Sequence, residues 1–345
     1  MTQASLVDER VKKASLITKI LRRPEFGAFL GAIAIFILFA TTDTTGNFAK
    51  LGGISGWTDI AAPIGIIGIS VALLMIAGEF DLSTGVLVGT TGLLIGMLVT
   101  EFNMNIWLAI LCAFIFAGTI GFINGYVVVK TKLPSFIVTL ATFFILKGAN
   151  FAYTKFVTGS VRVTGTDKAE GFDLAEAIFA SKFGEANFQI ALIWWIGITV
   201  IATFVLTRTR FGNWIFAAGG DANAARNAGV PVDKTKIMLF VYTALSAALV
   251  GTMFVLRLKG MQAGQGVGQE FYYIIAAAVG GTLLTGGAGS AIGASLGALI
   301  MGMAYIGIPY SRWDSDWTAT FLGIILFTAV MINTYIGRKA KGGKK

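Results

Sequence analysis

The sequence predicts an all-α polytopic membrane protein of about ten transmembrane helices. Hydrophobic residues make up 55% of its 345 positions and charged residues only 13%. A soluble domain carries about 25% charged residues, so this chain has too little charge to cover a surface in water. Its mean hydropathy is +0.77. Apolar runs recur along the whole length, and some 20 helical residues, at about 1.5 Å each, cross the roughly 30 Å hydrocarbon layer. The runs are continuous, which excludes the alternating pattern of porin-like strands. Forty-four glycines against five prolines suit helices whose backbones approach closely.

The elements follow in order. Residues 1–24 form a basic segment with Arg10, Lys12, Lys13, Lys19, Arg22 and Arg23. Spans are expected at about 26–42, 60–78, 83–100, 105–129 and 136–153, then 189–207, 237–256, 271–285, 288–307 and 318–336. They make up a transmembrane domain over 25–337, followed by a basic tail at 338–345. Between the second and third spans lies GEFDLSTG, residues 78–85. Asp81 reads as an N-cap, its side chain accepting N–H groups near Ser83 and Thr84. If the preceding span is full length, the turn reaches water. If the chain bends earlier, Glu79 and Asp81 lie at membrane depth, where ionisable groups mark a path or gate.

Two loops are long. In 154–188 the stretch DLAEAIFASKFG reads as a short amphipathic helix. Asp173 caps it, Gly184 ends it, and Leu174, Ile178 and Phe179 share a face. Such a helix lies on the membrane or docks an external protein. In 208–236, Asp221 caps a helix of about 222–228, Gly229 closes it and Pro231 forbids continuation. Later, in GGTLLTGGAGSAIGASLG from Gly280, Gly289, Gly293 and Gly297 recur every fourth residue, the spacing of a close helix–helix contact. Gly85 and Gly89 repeat that spacing after a similar break, as a faint internal repeat.

Charge sets the orientation. Most of the 27 lysines and arginines fall in segments that are cytoplasmic if the N-terminus is inside. Both termini and 208–236 are therefore expected inside, with 154–188 outside. The net charge of +9 reflects orientation and anionic headgroups, and its dispersal among span ends argues against nucleic acid. There is no histidine, and Cys112 is the single cysteine. No metal set, nucleophile–base pair or G-x-x-x-x-G-K-[ST] phosphate cradle is visible, so no cofactor is expected on this chain. The glycine-rich stretch from Gly280 lacks the βαβ setting of a dinucleotide site.

GEFDLSTG resembles the GGIDLSVG-type element of the ribose/xylose/arabinose-type permease subunits of bacterial ABC sugar importers. NGYVVVKTKLPSFIVTLATFFILKGANF from Asn124, GGDANAARNAGVPVDKTK and AAAVGGTLLTGGAGSAIGASLGALI are similar to further segments of that family, in order, over about 60–336. The resemblance implies a type II-like ABC importer permease bundle in a bacterial cytoplasmic (inner) membrane. It implies a dimer with a second permease copy or paralogue, a cytoplasmic ABC ATPase that uses the ATP, and an extracytoplasmic sugar-binding protein. It places Asp221, Ala224, Ala225, Arg226 and Gly229 in the ATPase coupling loop, and Glu79, Asp81 and Asn124 are expected to line or gate the passage. Two departures stand out: Glu79 where many members have Gly, and Asn223 where the coupling segment usually has Glu. The alternatives are an ABC permease for a branched-chain amino acid, nucleoside or furanosyl signal, or an ion-coupled secondary transporter using Glu79, Asp81 and Lys147.

Overall fold

The computed structural model describes residues 24–342. Of the basic end segments expected at 1–24 and 338–345, residues 1–23 and 343–345 lie outside the described residues. The chain is an α-helical bundle with two small two-stranded ribbons at one end. In order the helices are α1 (Pro24–Thr42), α2 (Leu51–Ile76), α3 (Thr84–Thr100), α4 (Ile106–Thr131), α5 (Ser135–Thr158), α6 (Phe172–Phe179) and α7 (Ala191–Arg208). There follow α8 (Arg210–Gly220), α9 (Ala222–Asn227), α10 (Val232–Leu258), α11 (Gln269–Val279), α12 (Ala291–Tyr310) and α13 (Trp317–Gly342).

Among the described residues, seven helices are long and apolar enough to cross a membrane: α1, α2, α4, α5, α7, α10 and α12. Two shorter apolar helices, α3 and the first part of α13, join them. The span expected at 271–285 is instead the 11-residue α11 followed by a glycine-rich break. At about 1.5 Å per residue, α11 reaches only partway across a bilayer. Its composition suits a span, but the consecutive glycines at 280–281 and 286–287 end the helix early.

The centre of the bundle is α2, α3, α10 and α12, with α11 against α2 and α12. The rim helices α1, α4, α5 and α7 are mostly exposed and carry large apolar side chains outward, such as Ile115, Ile145 and Ile201. That distribution is the reverse of a soluble bundle's and fits a hydrocarbon solvent. Small residues bring the central helices together. A Cβ on Gly293 or Gly297 would collide with the backbone oxygens of Gly280 and Ala276, so these two glycines seat α12 on α11 as their spacing predicts. Gly289 precedes the helix. Gly85 and Gly89 differ: they face the turns at 263–268 and Glu270 in the first turn of α11.

Caps follow local chemistry. Asn105 Oδ1 accepts from Trp107 N at 2.9 Å at the start of α4, and Ser290 Oγ accepts from Gly293 N at 2.9 Å at the start of α12. The loop after α5 folds over the end where α3 and α10 finish. Its strand β1 (Arg162–Thr164) pairs antiparallel with β4 (Gly260–Gln262), and β2 (Lys182–Phe183) pairs with β3 (Phe188–Gln189). These ribbons escaped the sequence reading because each strand has only two or three residues. Helix α6 ends at Phe179, not Gly184, which forms the β2–β3 turn at φ +70°. Gly171 stands at its N-cap position, and Asp173 lies in the first turn. Its buried face is Phe172 and Ala175, while Leu174 and Ile178 stay exposed. The bulky Leu174–Ile178 pair is the i, i+4 stripe that the sequence shows, and tertiary packing took the neighbouring stripe.

Candidate functional site

The acidic break between α2 and α3 is where these two helices meet α4, α5 and α10. Helix α2 ends with Gly78 in the left-handed region, φ +85°, where glycine carries no Cβ penalty. Ala77 N and Glu79 N donate back to Leu73 O and Leu74 O at 3.2 and 3.1 Å. The side chains that follow go to different depths. Glu79 is half-buried and forms an ion pair with Lys236 near the start of α10. Asp81 is 1% exposed.

Ser83, not Asp81, occupies the N-cap position of α3 and makes no side-chain cap. The expected acceptor role of Asp81 is present: its Oδ1 accepts from Ser83 N at 2.9 Å and from Ser83 Oγ at 2.6 Å. Its Oδ2 accepts from Thr243 Oγ1 of α10 at 2.7 Å. Asn124 of α4 extends the network, its Nδ2 donating to Ser83 Oγ at 3.1 Å while its Oδ1 accepts from Thr142 Oγ1 of α5 at 2.6 Å. Ser135 and Thr139 of α5 accept from Phe80 N and Leu82 N at 3.0 and 3.1 Å. These hydroxyls satisfy a non-helical stretch that has no water to turn to, as buried backbone requires.

Depth follows from the partners. Asn124 lies seven residues before the end of α4, and Thr243 eleven residues after the start of α10. At about 1.5 Å per residue, Asp81 sits about 10–16 Å inside those helix ends. The break is therefore sunk within the bundle, with Glu79 nearer its end. Three of the expected site residues come together here: Asp81 and Asn124 through Ser83, and Glu79 beside them.

The expected coupling residues sit at the same end. Asp221 caps α9, its Oδ1 accepting from Asn223 N and Ala224 N, both at 2.9 Å. Gly229 takes φ +82°, and Arg226 bridges to Asp233 at 2.8 Å. Ala225 is buried, and Ala224, Arg226 and Asp221 are exposed.

Sequence reasoning missed α8, the 11-residue helix before α9. Its signal is present: Thr209 Oγ1 accepts from Gly212 N at 3.2 Å as an N-cap, and Ile215 and Ala218 recur at helical spacing on the buried face. The end of α8 meets the acidic break directly. A Cβ on Gly219 would fall on Ile76 O, and one on Gly286 would lie 2.9 Å from Gly219 O and 3.0 Å from Gly78 Cα. Gly287 N donates to Ile76 O at 2.8 Å. Three glycine turns, 76–78, 219–220 and 286–287, thus touch backbone to backbone. No side chain intervenes between the end of α8, the end of α2 and the α11–α12 break.

Among the described residues no cluster of three or more His, Cys, Asp or Glu could hold a metal ion. The arrangement holds a sunken polar knot whose preceding turn is in backbone contact with the end of α8.

Comparison with known proteins gives the chain its relatives. A family described as branched-chain amino acid transport system / permease component matches residues 53–330. A ribose import permease protein of Escherichia coli (strain K12) is 30% identical over 304 residues, 87% of this chain and 92% of that protein. A fructose import permease protein of Rhizobium meliloti is 29% identical over 281 residues, 81% of this chain and 77% of that protein. An L-arabinose ABC transporter permease protein of Azospirillum brasilense is 29% identical over 309 residues, 88% and 87% respectively. No solved structure matches.

Proposed function

We infer that this chain, which belongs to the family described as branched-chain amino acid transport system / permease component, is the membrane-spanning subunit of an ATP-driven, binding-protein-dependent importer that forms the path for a small sugar. One observation carries this reading. Similarity covers most of this chain and most of three permeases named for ribose, fructose and arabinose. In this reading the protein lies in the bacterial cytoplasmic (inner) membrane as a multi-pass bundle with both termini inside. A separate cytoplasmic ATPase hydrolyses ATP and an external binding protein delivers the solute. A second permease copy or paralogue completes the path, and lipid covers the apolar rim.

The segment 208–236 is then the coupling loop, with Asp221, Ala224, Ala225, Arg226 and Gly229 in it. The backbone contact of Gly219 with Ile76 and Gly286 supports that role, because force needs a stiff route. Glu79, Asp81 and Asn124 form a gate in this reading. Support comes from their depth, since ionisable groups inside a membrane bundle are costly and mark paths.

The test is uptake by proteoliposomes holding the chain with its ATPase and binding protein, using labelled D-ribose, D-fructose and L-arabinose. Uphill uptake of one of them that requires ATP is expected. Uphill uptake by the chain alone on an ion gradient would replace this reading with secondary transport. The family's description favours a second solute class, and labelled L-leucine in the same vesicles separates the two.

A further inference from the structure

Away from the acidic break, the middle of α5 carries polar groups that the fold leaves without partners. Lys147, Asn150, Phe151 and Thr154 stand at i, i+3, i+4 and i+7, one face of the helix. Lys147 is the thirteenth of 24 helical residues, so its ammonium lies near mid-membrane. It has no hydrogen bond or direct ion pair among the described residues, only the Phe143 ring at 5.9 Å. Asn150 is 5% exposed and Thr154 fully buried, and neither Asn150 Nδ2 nor Thr154 Oγ1 has a partner.

The face opposite is non-helical. Residues 263–268 run along α3 between β4 and α11, with Gly266 and Gly268 at φ +87° and +90°. A Cβ on Gly89 would strike Gln265 O and lie 3.8 Å from Asn150 Nδ2, and one on Gly264 would lie 3.4 Å from the Phe151 ring. The loop and α5 are therefore neighbours at the depth of α3. At the loop's end Glu270 is 3% exposed, and its Oε2 accepts from Gly268 N at 3.0 Å. Residues 264–269 are only half-buried. Irregular backbone at membrane depth persists only where protein covers it or water bathes it, so the half-open loop needs water or a second protein surface against it. Hydrocarbon would not tolerate Lys147 and Glu270 there.

We propose that Lys147, Asn150 and Thr154 of α5, with Gln265 of the turn opposite and Glu270 in the first turn of α11, form the solute-contacting wall of the passage and take a neutral polyhydroxyl solute. The inference rests on the importer reading and adds the residues that touch the cargo. Donors and acceptors at this spacing suit hydroxyls, and the one cation and one anion leave the wall without net charge. Phe151 and Phe271, 42% and 57% exposed, offer apolar ring faces for the C–H side of a sugar. The open side of the wall is where the second permease copy closes the passage.

The test uses the full transporter in proteoliposomes and exploits the single cysteine. In a Cys112→Ser chain, Asn150→Cys is expected to react with a membrane-impermeant thiol reagent during ATP turnover, and the sugar that the wild type takes up slows that reaction. Ile145→Cys, on the outward face of α5 and 69% exposed, is expected to stay unreactive. Lys147→Met and Glu270→Gln are each expected to raise the KM of uptake about tenfold, the loss of one charged hydrogen bond, while the ATPase still co-purifies. The wall is overturned if Asn150→Cys stays unreactive in every state, or if both charge variants keep the wild-type KM. Turnover-dependent labelling of Asn150→Cys, beside a wild type that takes up no sugar, sinks the importer's assigned cargo and leaves the wall standing.

Discussion

Asp81 shows how one residue organises this end of the bundle. It is buried, and its two oxygens hold Ser83 and Thr243. Removing the acceptor strands those donors, and each buried unsatisfied group costs about 1–3 kcal/mol. Asp81→Ala is therefore expected to lower thermal stability of the detergent-purified chain by about 2 kcal/mol or more. Asp81→Asn, which keeps one acceptor oxygen, is expected to lose less, and equal melting of Asp81→Ala and wild type would remove the network from the account. Glu79 acts at a different place. Its partner Lys236 lies in the second turn of α10, at the end of the 208–236 segment proposed to couple, so Glu79→Gln is expected to slow transport with little change in stability. A double-mutant cycle with Lys236→Met measures the coupling. At Gly219 the constraint is steric, because any Cβ meets Ile76 O. Gly219→Ala is expected to push α8 off α2 and to uncouple ATP hydrolysis from uptake. Normal coupling in that variant would show that the three-turn contact carries no force.

At the scale of elements, α9 is short, and its cap matters accordingly. Asp221→Ala costs about 0.5–2 kcal/mol of local helix stability on general grounds, felt as weaker ATPase binding. Gly229→Pro, or deletion of 222–228, is expected to abolish solute-stimulated ATP hydrolysis while the spans still assemble in the membrane. Persistence of ATPase binding and transport in either would mean that this loop does not couple. These elements differ in how legible they were. Helix α9 announced itself through Asp221, Gly229 and Pro231, a complete set of local stop and start signals. Helix α8 has its Thr209 cap and apolar stripe, yet the stripe blends into the apolar span before it, and the boundary at Arg208 was read as the start of a loop. Helix α6 was placed near its true start, and its Leu174–Ile178 stripe stays exposed, while the inward packing of Phe172 and Ala175 depends on neighbours far away in sequence. Helix α11 was overextended because hydropathy sums composition and ignores the helix-ending effect of paired glycines.

For the whole molecule, orientation and energy source are the testable properties. Single cysteines in a Cys112→Ser chain, at Asn227 and at Lys182, place the two long loops. Reaction of the first from the cytoplasmic side only and the second from outside only is expected. The reverse pattern would invert the assignment of 208–236 as the ATPase-facing segment.

Composition alone determined that this protein lives in a bilayer, because 13% charged residues cannot clothe a surface in water. Local signals determined where most helices begin and end, since caps, glycines and prolines act on nearest neighbours. The tertiary structure decided the rest. It set the depth of GEFDLSTG, the meeting of three glycine turns and the confrontation of α5 with the 263–270 segment. Each of these is a contact between stretches separated by dozens to more than a hundred residues. Such contacts depend on how close two backbones are allowed to come, and no periodicity within a single segment records that distance.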